Sequence, residues 1–313
     1  MLLRLRPRRH LVAILAVMLA AARAADSANP LLQPSPLPFG YPPFDRIKDE
    51  HFAPAYEHLM AGQLAEVDAI ARHPAEPTFE NTLVALERSG RDFGRVQRIF
   101  SNLAGAHSND TIRGIEKALA PKLAAHFDAI RLNRALFARI DSLHRRRAQL
   151  GLEPEAHRLL ERTHIDFVRA GARLAETDQT RLKALNAEIA SLQTAFTQNV
   201  LKEVNASAVI VERQADLAGL SPAEIAAAAA AAAADKQEGR FALRLLNTSG
   251  QPALASLENR ALRERLHRAS LARGSRGGEF DNRALIARLA RLRAERATLL
   301  GYPSHAAYQL EEQ

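Results

Sequence analysis

Cysteine is absent from this chain of 313 residues. Without thiols the protein has no disulfide, no thiolate zinc site, no cysteine nucleophile and no lipoprotein anchor. Export does not require disulfides, so this absence leaves the compartment open. With 47% hydrophobic and 25% charged residues, the composition is that of a globular protein with a sizeable core.

A concentrated basic surface is also lacking. The net charge is +8, but five arginines precede the first acidic residue, Asp26, so the chain without residues 1–24 carries only +3. The five are Arg4, Arg6, Arg8, Arg9 and Arg23. Such a small, interspersed excess argues against a nucleic-acid partner.

The N-terminus has the pattern of an export signal. A basic stretch through His10 precedes the apolar run 11–22, and Ala22 and Ala24 are the small residues that signal peptidase reads. We predict a signal peptide at residues 1–24 and an exported, periplasmic protein. A membrane anchor is disfavoured because about twelve apolar residues fall short of the roughly twenty that span a bilayer, and no later segment is apolar enough.

Residues 25–45 are predicted to form a proline-rich extended arm. Proline recurs between Pro30 and Pro43, and it fixes the backbone and removes a hydrogen-bond donor. Apolar residues among the prolines indicate that the arm lies on the folded body. They are Leu31, Leu32, Leu37, Phe39, Tyr41 and Phe44.

Residues 46–313 show helical spacing of apolar residues, interrupted by short breakers, which predicts a mainly α fold in one lobe. The clearest helix, 178–204, has a coiled-coil seam that includes Leu182 and Phe196, and we predict that it forms an antiparallel hairpin with 155–174. A further helix, 282–300, has an arginine-rich face. We interpret this face as solvated surface in preference to a binding site for a partner.

A small β-containing insertion interrupts the helices. Residues 206–211 and 241–246 alternate like strands, and between them Ser221 and Glu224 form a capping box that begins an alanine-rich helix. We therefore predict a β–α–β insertion.

The sequence lacks the usual catalytic motifs. No histidine pair has the His-Glu-x-x-His spacing that places two ligands on one helix face, and Gly-x-Ser-x-Gly does not occur. The pair His51 and His58 is separated by Pro54, which we expect to disturb a helix joining them. The segment 274–278 resembles a phosphate loop without its lysine, and we interpret it as a flexible turn.

Three other residues are weighed as candidates. Glu279 and Asp281 could act as paired carboxylates, but Asp281 is equally placed to cap the following helix. His164 lies on a helical stretch, where a lone histidine is usually packed or hydrogen-bonded rather than catalytic.

Five segments resemble, in order, the bacterial peptidyl-dipeptidase (dipeptidyl carboxypeptidase) branch of the thimet-oligopeptidase family. They are residues 37–47, 77–83, 159–171, 278–283 and 300–308, which read LPFGYPPFDRI, PTFENTL, LLERTHIDFVRAG, GEFDNR and LGYPSHAAY. The ERTH and DFVRAG wording favours peptidyl-dipeptidases over the endopeptidase branch.

The resemblance implies a two-lobed, largely helical zinc peptidase that removes C-terminal dipeptides from oligopeptides. In that family the zinc ligands and the catalytic glutamate lie beyond the position of Gln313, where this chain stops within an apparently continuing helix. We therefore assign no catalytic, cofactor-binding or metal residue here, expect no zinc to bind, and expect the lobe to be incomplete and inactive without a C-terminal catalytic half. The alternative is a non-catalytic helical peptide-binding or interaction module.

Overall fold

The computed structural model describes residues 29–246 and 251–311, and of Asn205 only the backbone. The predicted signal peptide lies outside these residues. Within them the chain is mainly helical and its strands form a two-stranded sheet, which confirms the predicted fold class. None of the described helices combines the length and the apolar character that crossing a bilayer requires.

The longer elements follow one another in simple order. The helices are α1 (Phe52–Ala71), α2 (Ala85–Arg88), α3 (Arg91–Ala106), α4 (Asp110–Arg131), α5 (Arg134–Arg145), α6 (Pro154–Arg169), α7 (Glu176–Ala206), α8 (Pro222–Ala234), α9 (Ala253–Ser256), α10 (Arg260–Leu271), α11 (Arg283–Leu299) and α12 (His305–Leu310). The strands are β1 (Val209–Val211) and β2 (Phe241–Leu243). A π-helical segment, Phe79–Val84, leads directly into α2.

Three helices begin at an asparagine whose side-chain oxygen accepts a hydrogen bond from the backbone N–H three residues later. These caps are Asn109 on α4, Asn133 on α5 and Asn259 on α10. Such a cap satisfies one of the N–H groups that a helix leaves without an internal partner at its first turn.

The described residues form two compact units. The first extends to Glu188 and includes Leu299–Tyr302, and the second comprises Ile189–Thr298 and the residues from Pro303. The boundary in the chain falls inside α7. The single lobe predicted over residues 46–313 stays a prediction.

Aromatic side chains build the first core of unit 1. Phe52 and Tyr56, one turn apart on α1, pack edge-to-face on Phe100 of α3, with ring centroids 5.0 and 5.6 Å away. Phe93 completes the cluster at 5.9 Å from Tyr56. Edge-to-face pairs add stabilisation beyond the area that they bury, so these rings fix α1 against α3.

The predicted arm is only partly extended. A short 3₁₀ turn at Pro30–Leu32 buries Leu31 completely in this core, and Arg95 donates to the Leu31 carbonyl at 2.6 Å. Farther along, Phe39 is fully exposed with φ +57°. Residues 30–32 of the arm thus pack on unit 1, whereas Phe39 and Tyr41 present their aromatic side chains to solvent.

A second core of unit 1 joins α5 and α6 to the π-helical segment. Leu83, Leu143 and Leu160 are completely buried together. This packing brings the last turn of α5 to the middle of α6.

The long helix is present, as predicted, over Glu176–Ala206. Its seam is buried at Leu182, Leu185 and Ile189, whereas Phe196 is 37% exposed. Asn186 donates to Asp128 of α4 at 2.8 Å. Since α6 packs on α5, the hairpin of α7 with residues 155–174 stays a prediction.

Unit 2 contains the predicted β–α–β insertion. The strands pair antiparallel, with Val209 opposite Leu243, and are shorter than predicted. Between them, α8 packs on β2 through its alanines, since small side chains permit close approach. The chain enters α8 past Gly219, whose φ is +94° and where an added Cβ would lie 1.9 Å from the Ser256 carbonyl oxygen.

Candidate functional site

The described residues do not provide a catalytic zinc site. No group of three His, Asp or Glu side chains among them could hold a metal ion, and a catalytic zinc takes three protein ligands. In the histidine pair His51 and His58, His51 lies just before α1, and its Nδ1 accepts a hydrogen bond from the Lys48 N–H at 3.1 Å. The expected disturbance by Pro54 does not occur, because Pro54 lies in the first turn of α1, where its missing N–H is tolerated.

His164 is buried and hydrogen-bonded, as its position on a helix indicates. Its Nε2 lies 3.0 Å from Asp141 Oδ1, and its ring stacks on His144 with centroids 3.7 Å apart. Phe137 also packs on it, at 5.8 Å. A His–Asp pair can orient a catalytic base, but this ring is only 6% exposed, so the arrangement is that of a packed residue.

The carboxyl group of Asp141 is held in its charged form. Burial alone would raise the pKa of Asp141, but the hydrogen bond from His164 and the positive charge of Arg145, 2.5 Å away, lower it overall. Asp141 therefore contributes a negative charge near the end of α5.

The turn at 274–278 holds a carboxylate where a phosphate loop would hold a phosphate. Glu203, buried on α7, accepts from the Gly274 N–H and, at 3.0 Å, from Arg276 Nε. The sequence predicts a turn here and the structure contains one, but its backbone donor is already used by the protein itself.

Asp281 serves the start of α11. Its carboxylate accepts from the N–H groups of Arg283 at 2.9 Å and of Gly277 at 2.7 Å. Hydrogen bonds from the Arg283 side chain and backbone keep the pKa of Asp281 well below its usual range. Glu279 is exposed. The capping interpretation of Asp281 is therefore the one that the geometry supports.

Residues 278–283, one of the family-like segments, are attached to α7 through Asn282. This side chain is 1% exposed, donates to the Phe196 carbonyl at 3.3 Å and accepts from Asn199 at 3.0 Å. The segment therefore has a packing role within unit 2.

A buried arginine that the sequence analysis missed organises residues 77–83, another of these segments. Arg139 of α5 donates to the carbonyls of His73 and Ala75 at 3.0 and 3.1 Å, to Asn81 Oδ1 at 2.8 Å and to Thr82 Oγ1 at 3.3 Å. The only sequence signal was its spacing, since Leu136, Ile140 and Leu143 on the same face are buried.

An open apolar groove lies on unit 2 along α7 and α11. It consists of two adjoining cavities of about 490 and 400 Å³, both lined by Phe196, Thr197 and Ile286. Phe196 is 37% exposed and Ile286 50%. Clefts of this size and apolar character are typical of binding sites for peptides or other protein segments.

Comparisons with known proteins agree with the resemblance of the five segments. Residues 253–313 match the profile described as Peptidase family M3. The chain is 45% identical over 287 residues to dipeptidyl carboxypeptidase of Salmonella typhimurium (strain LT2), which covers 92% of this chain and 42% of that protein.

Two other relatives are similar over nearly the same span. Dipeptidyl carboxypeptidase of Escherichia coli (strain K12) is 42% identical, with 91% of this chain and 42% of that protein covered. Oligopeptidase A of Haemophilus influenzae is 28% identical, with 90% and 41% covered. The higher identity to the two carboxypeptidases agrees with the predicted branch. The chain is therefore similar to peptidase family M3 over residues 253–313, and it spans 42% of the length of the dipeptidyl carboxypeptidases that it matches.

Proposed function

We propose that this chain is the N-terminal part of a zinc-dependent peptidyl-dipeptidase that releases C-terminal dipeptides from oligopeptides, and that it is inactive alone. The observation that carries the proposal is the 45% identity to a dipeptidyl carboxypeptidase over 92% of this chain but only 42% of the relative. The substrate would be an oligopeptide, and the missing partner a C-terminal catalytic half.

Zinc would come with that half. The described side chains offer no set of three ligands, so we assign the metal and the chemistry that it supplies, activation of the attacking water, to residues outside this chain. The role left to the described residues is to provide packed helical surface for the complete enzyme.

The test uses purified, chelator-treated protein. We expect less than stoichiometric zinc binding after zinc addition and no release of dipeptides from the C-terminus of a test peptide. Activity should appear when the C-terminal remainder of the Salmonella relative is added. Stoichiometric zinc with chelator-sensitive cleavage by this chain alone would contradict the proposal.

A second candidate is a non-catalytic module that binds peptides, which the open groove of Phe196 and Ile286 favours. Titration calorimetry with short oligopeptides separates the two: saturable binding by the isolated chain, weakened by Ile286→Glu, supports the module. The DNA downstream is a further discriminator, because a His-Glu-x-x-His helix there supports an incomplete enzyme.

We also propose that the protein is exported to the periplasm. The support is the basic and apolar pattern of residues 1–22 followed by the small residues Ala22 and Ala24. N-terminal sequencing of the protein from a periplasmic extract should start near Ala25. Protein that retains Met1 in the cytosol would disprove export.

A further inference from the structure

Two histidine rings face each other where α5 meets α6 in unit 1. His144 lies in the last turn of α5 and His164 in the middle of α6, with the ring planes only 2° from parallel and the centroids 3.7 Å apart. At this distance a proton on His144 places a positive charge directly on the neighbouring ring. The contact therefore depends on the protonation state of His144.

The charges around this stack are of both signs. Four charged or titratable groups influence the pKa of His144 electrostatically. Asp141 lies on α5 and Arg147 just after it, and Glu161 and His164 lie on α6. Arg145, Arg173 and His157 also carry charges or titratable groups in the same network: the first two pair with Asp141 and the third with Glu161. An open polar cavity of about 720 Å³, lined in part by Asp141 and Arg145, lets water and protons reach this end of α5.

We propose that the His144–His164 stack is a proton-sensitive contact. It holds the end of α5 on α6 while His144 is neutral, and it opens when His144 takes up a proton. The proposal concerns unit 1 alone and does not depend on the peptidase activity.

Opening would reach beyond the two rings. The His144 carbonyl accepts a hydrogen bond from Arg147 at 2.9 Å, and Arg146 donates to the Pro77 carbonyl at 2.6 Å. These residues continue directly from His144, so movement of the last turn of α5 removes two contacts that hold residues 144–149. The segment that begins at Pro77 loses its bond to Arg146 in the same step.

The direction of the pH effect follows from the environment of His144. Burial, then the neighbouring His164 and Arg147, lower the pKa of His144 despite the opposing attraction of Asp141 and Glu161. The closed contact therefore binds a proton less readily than the open one. As the pH falls through the ordinary histidine value of about 6.5, the balance shifts towards the open form.

Hydrogen exchange of the full chain tests the proposal. Relative to intrinsic rates, protection of residues 143–149 should fall between pH 7.5 and pH 5.5, because the open form takes up the proton more readily. In His144→Phe, whose ring stacks but does not titrate, the fall should be absent. His157→Gln, which removes a half-buried histidine from the same helix pair, should keep the wild-type fall.

A direct titration keeps the test valid if the phenylalanine variant does not fold. In wild-type protein, the NMR signal of the His144 ring should titrate below pH 6.5, and the peptide signals of residues 143–149 should change with the same midpoint. Titration of His144 at or above that value would overturn the proposal. An equal loss of protection in wild-type protein and His144→Phe would overturn it as well.

Discussion

Arg139→Met tests whether one buried guanidinium fixes the π-helical segment of unit 1. In the folded protein Arg139 is 8% exposed and donates to the carbonyls of His73 and Ala75, to Asn81 Oδ1 and to Thr82 Oγ1. Asn81 Oδ1 also accepts from the Thr78 N–H and the Thr82 hydroxyl. Methionine fills much of the arginine stem and removes only the donors.

The magnitude follows from which acceptors water can reach. Hydrogen bonds from charged donors contribute about 1.5–3 kcal/mol each. Water can replace the two bonds at the exposed residues His73 and Ala75, whereas Thr82 is completely buried and Asn81 half-buried. Removing the charge also removes its desolvation cost, which offsets part of the loss. We expect the free energy of unfolding of unit 1 to fall by about 3 kcal/mol.

The assay combines urea unfolding, followed by circular dichroism, with hydrogen exchange of residues 77–84, because two compact units need not unfold in one transition. Arg134→Met, at an exposed position of the same helix, is the matched control and should change stability by less than about 0.5 kcal/mol. Arg139→Lys should retain only part of the stability, because an ammonium cannot reproduce the planar fork. If Arg139→Met matched the control, the guanidinium would not organise this segment.

Three further substitutions have defined outcomes. Gly219→Ala should destabilise unit 2 by about 3 kcal/mol or more in urea unfolding, because its φ is positive and the added Cβ clashes with Ser256. The control Gly239→Ala, with φ +80° and open space around it, should cost only about 1 kcal/mol. Equal effects of the two substitutions would contradict the clash. Asn133→Ala should cost about 1 kcal/mol through loss of the α5 cap, with Asn133→Asp as the control that keeps it, measured by thermal unfolding. Burial lowers the pKa of His126, so the unfolded chain binds a proton more readily and stability should fall as the pH drops below 6.5. In His126→Phe the urea midpoint should differ less between pH 7.5 and pH 5.5 than in the wild-type protein. An unchanged difference would show that His126 is not the source of the pH dependence.

Local signals in the sequence predicted much of the fold. The seam from Leu182 and the capping box of Ser221 depend on neighbours within one or two turns, and α7 and α8 begin within two residues of the predicted positions. The π-helical turn at Phe79–Val84 was not predicted, because its geometry depends on Arg139, more than fifty residues away.

The site residues show the same limit. His164 reads as a lone histidine on a helix, and its packed role was predicted; its neighbour His144 could be identified only after α5 and α6 were placed together. Glu203 reads as a surface charge on a long helix, and only the fold shows that it fills the turn at Gly274. The long-range partners of buried charged residues cannot be identified from sequence spacing.

The division of the chain inside α7 has a consequence for how this protein can be cut or recombined. Unit 1 includes Leu299–Tyr302, which follow most of unit 2 in the sequence. Neither unit is therefore encoded by one continuous stretch of the gene. A crossover or protease cut near Glu188 would end a helix in mid-course and leave carbonyl groups without their partners. Exchanging one unit for that of another protein therefore requires cuts at more than one position of the chain.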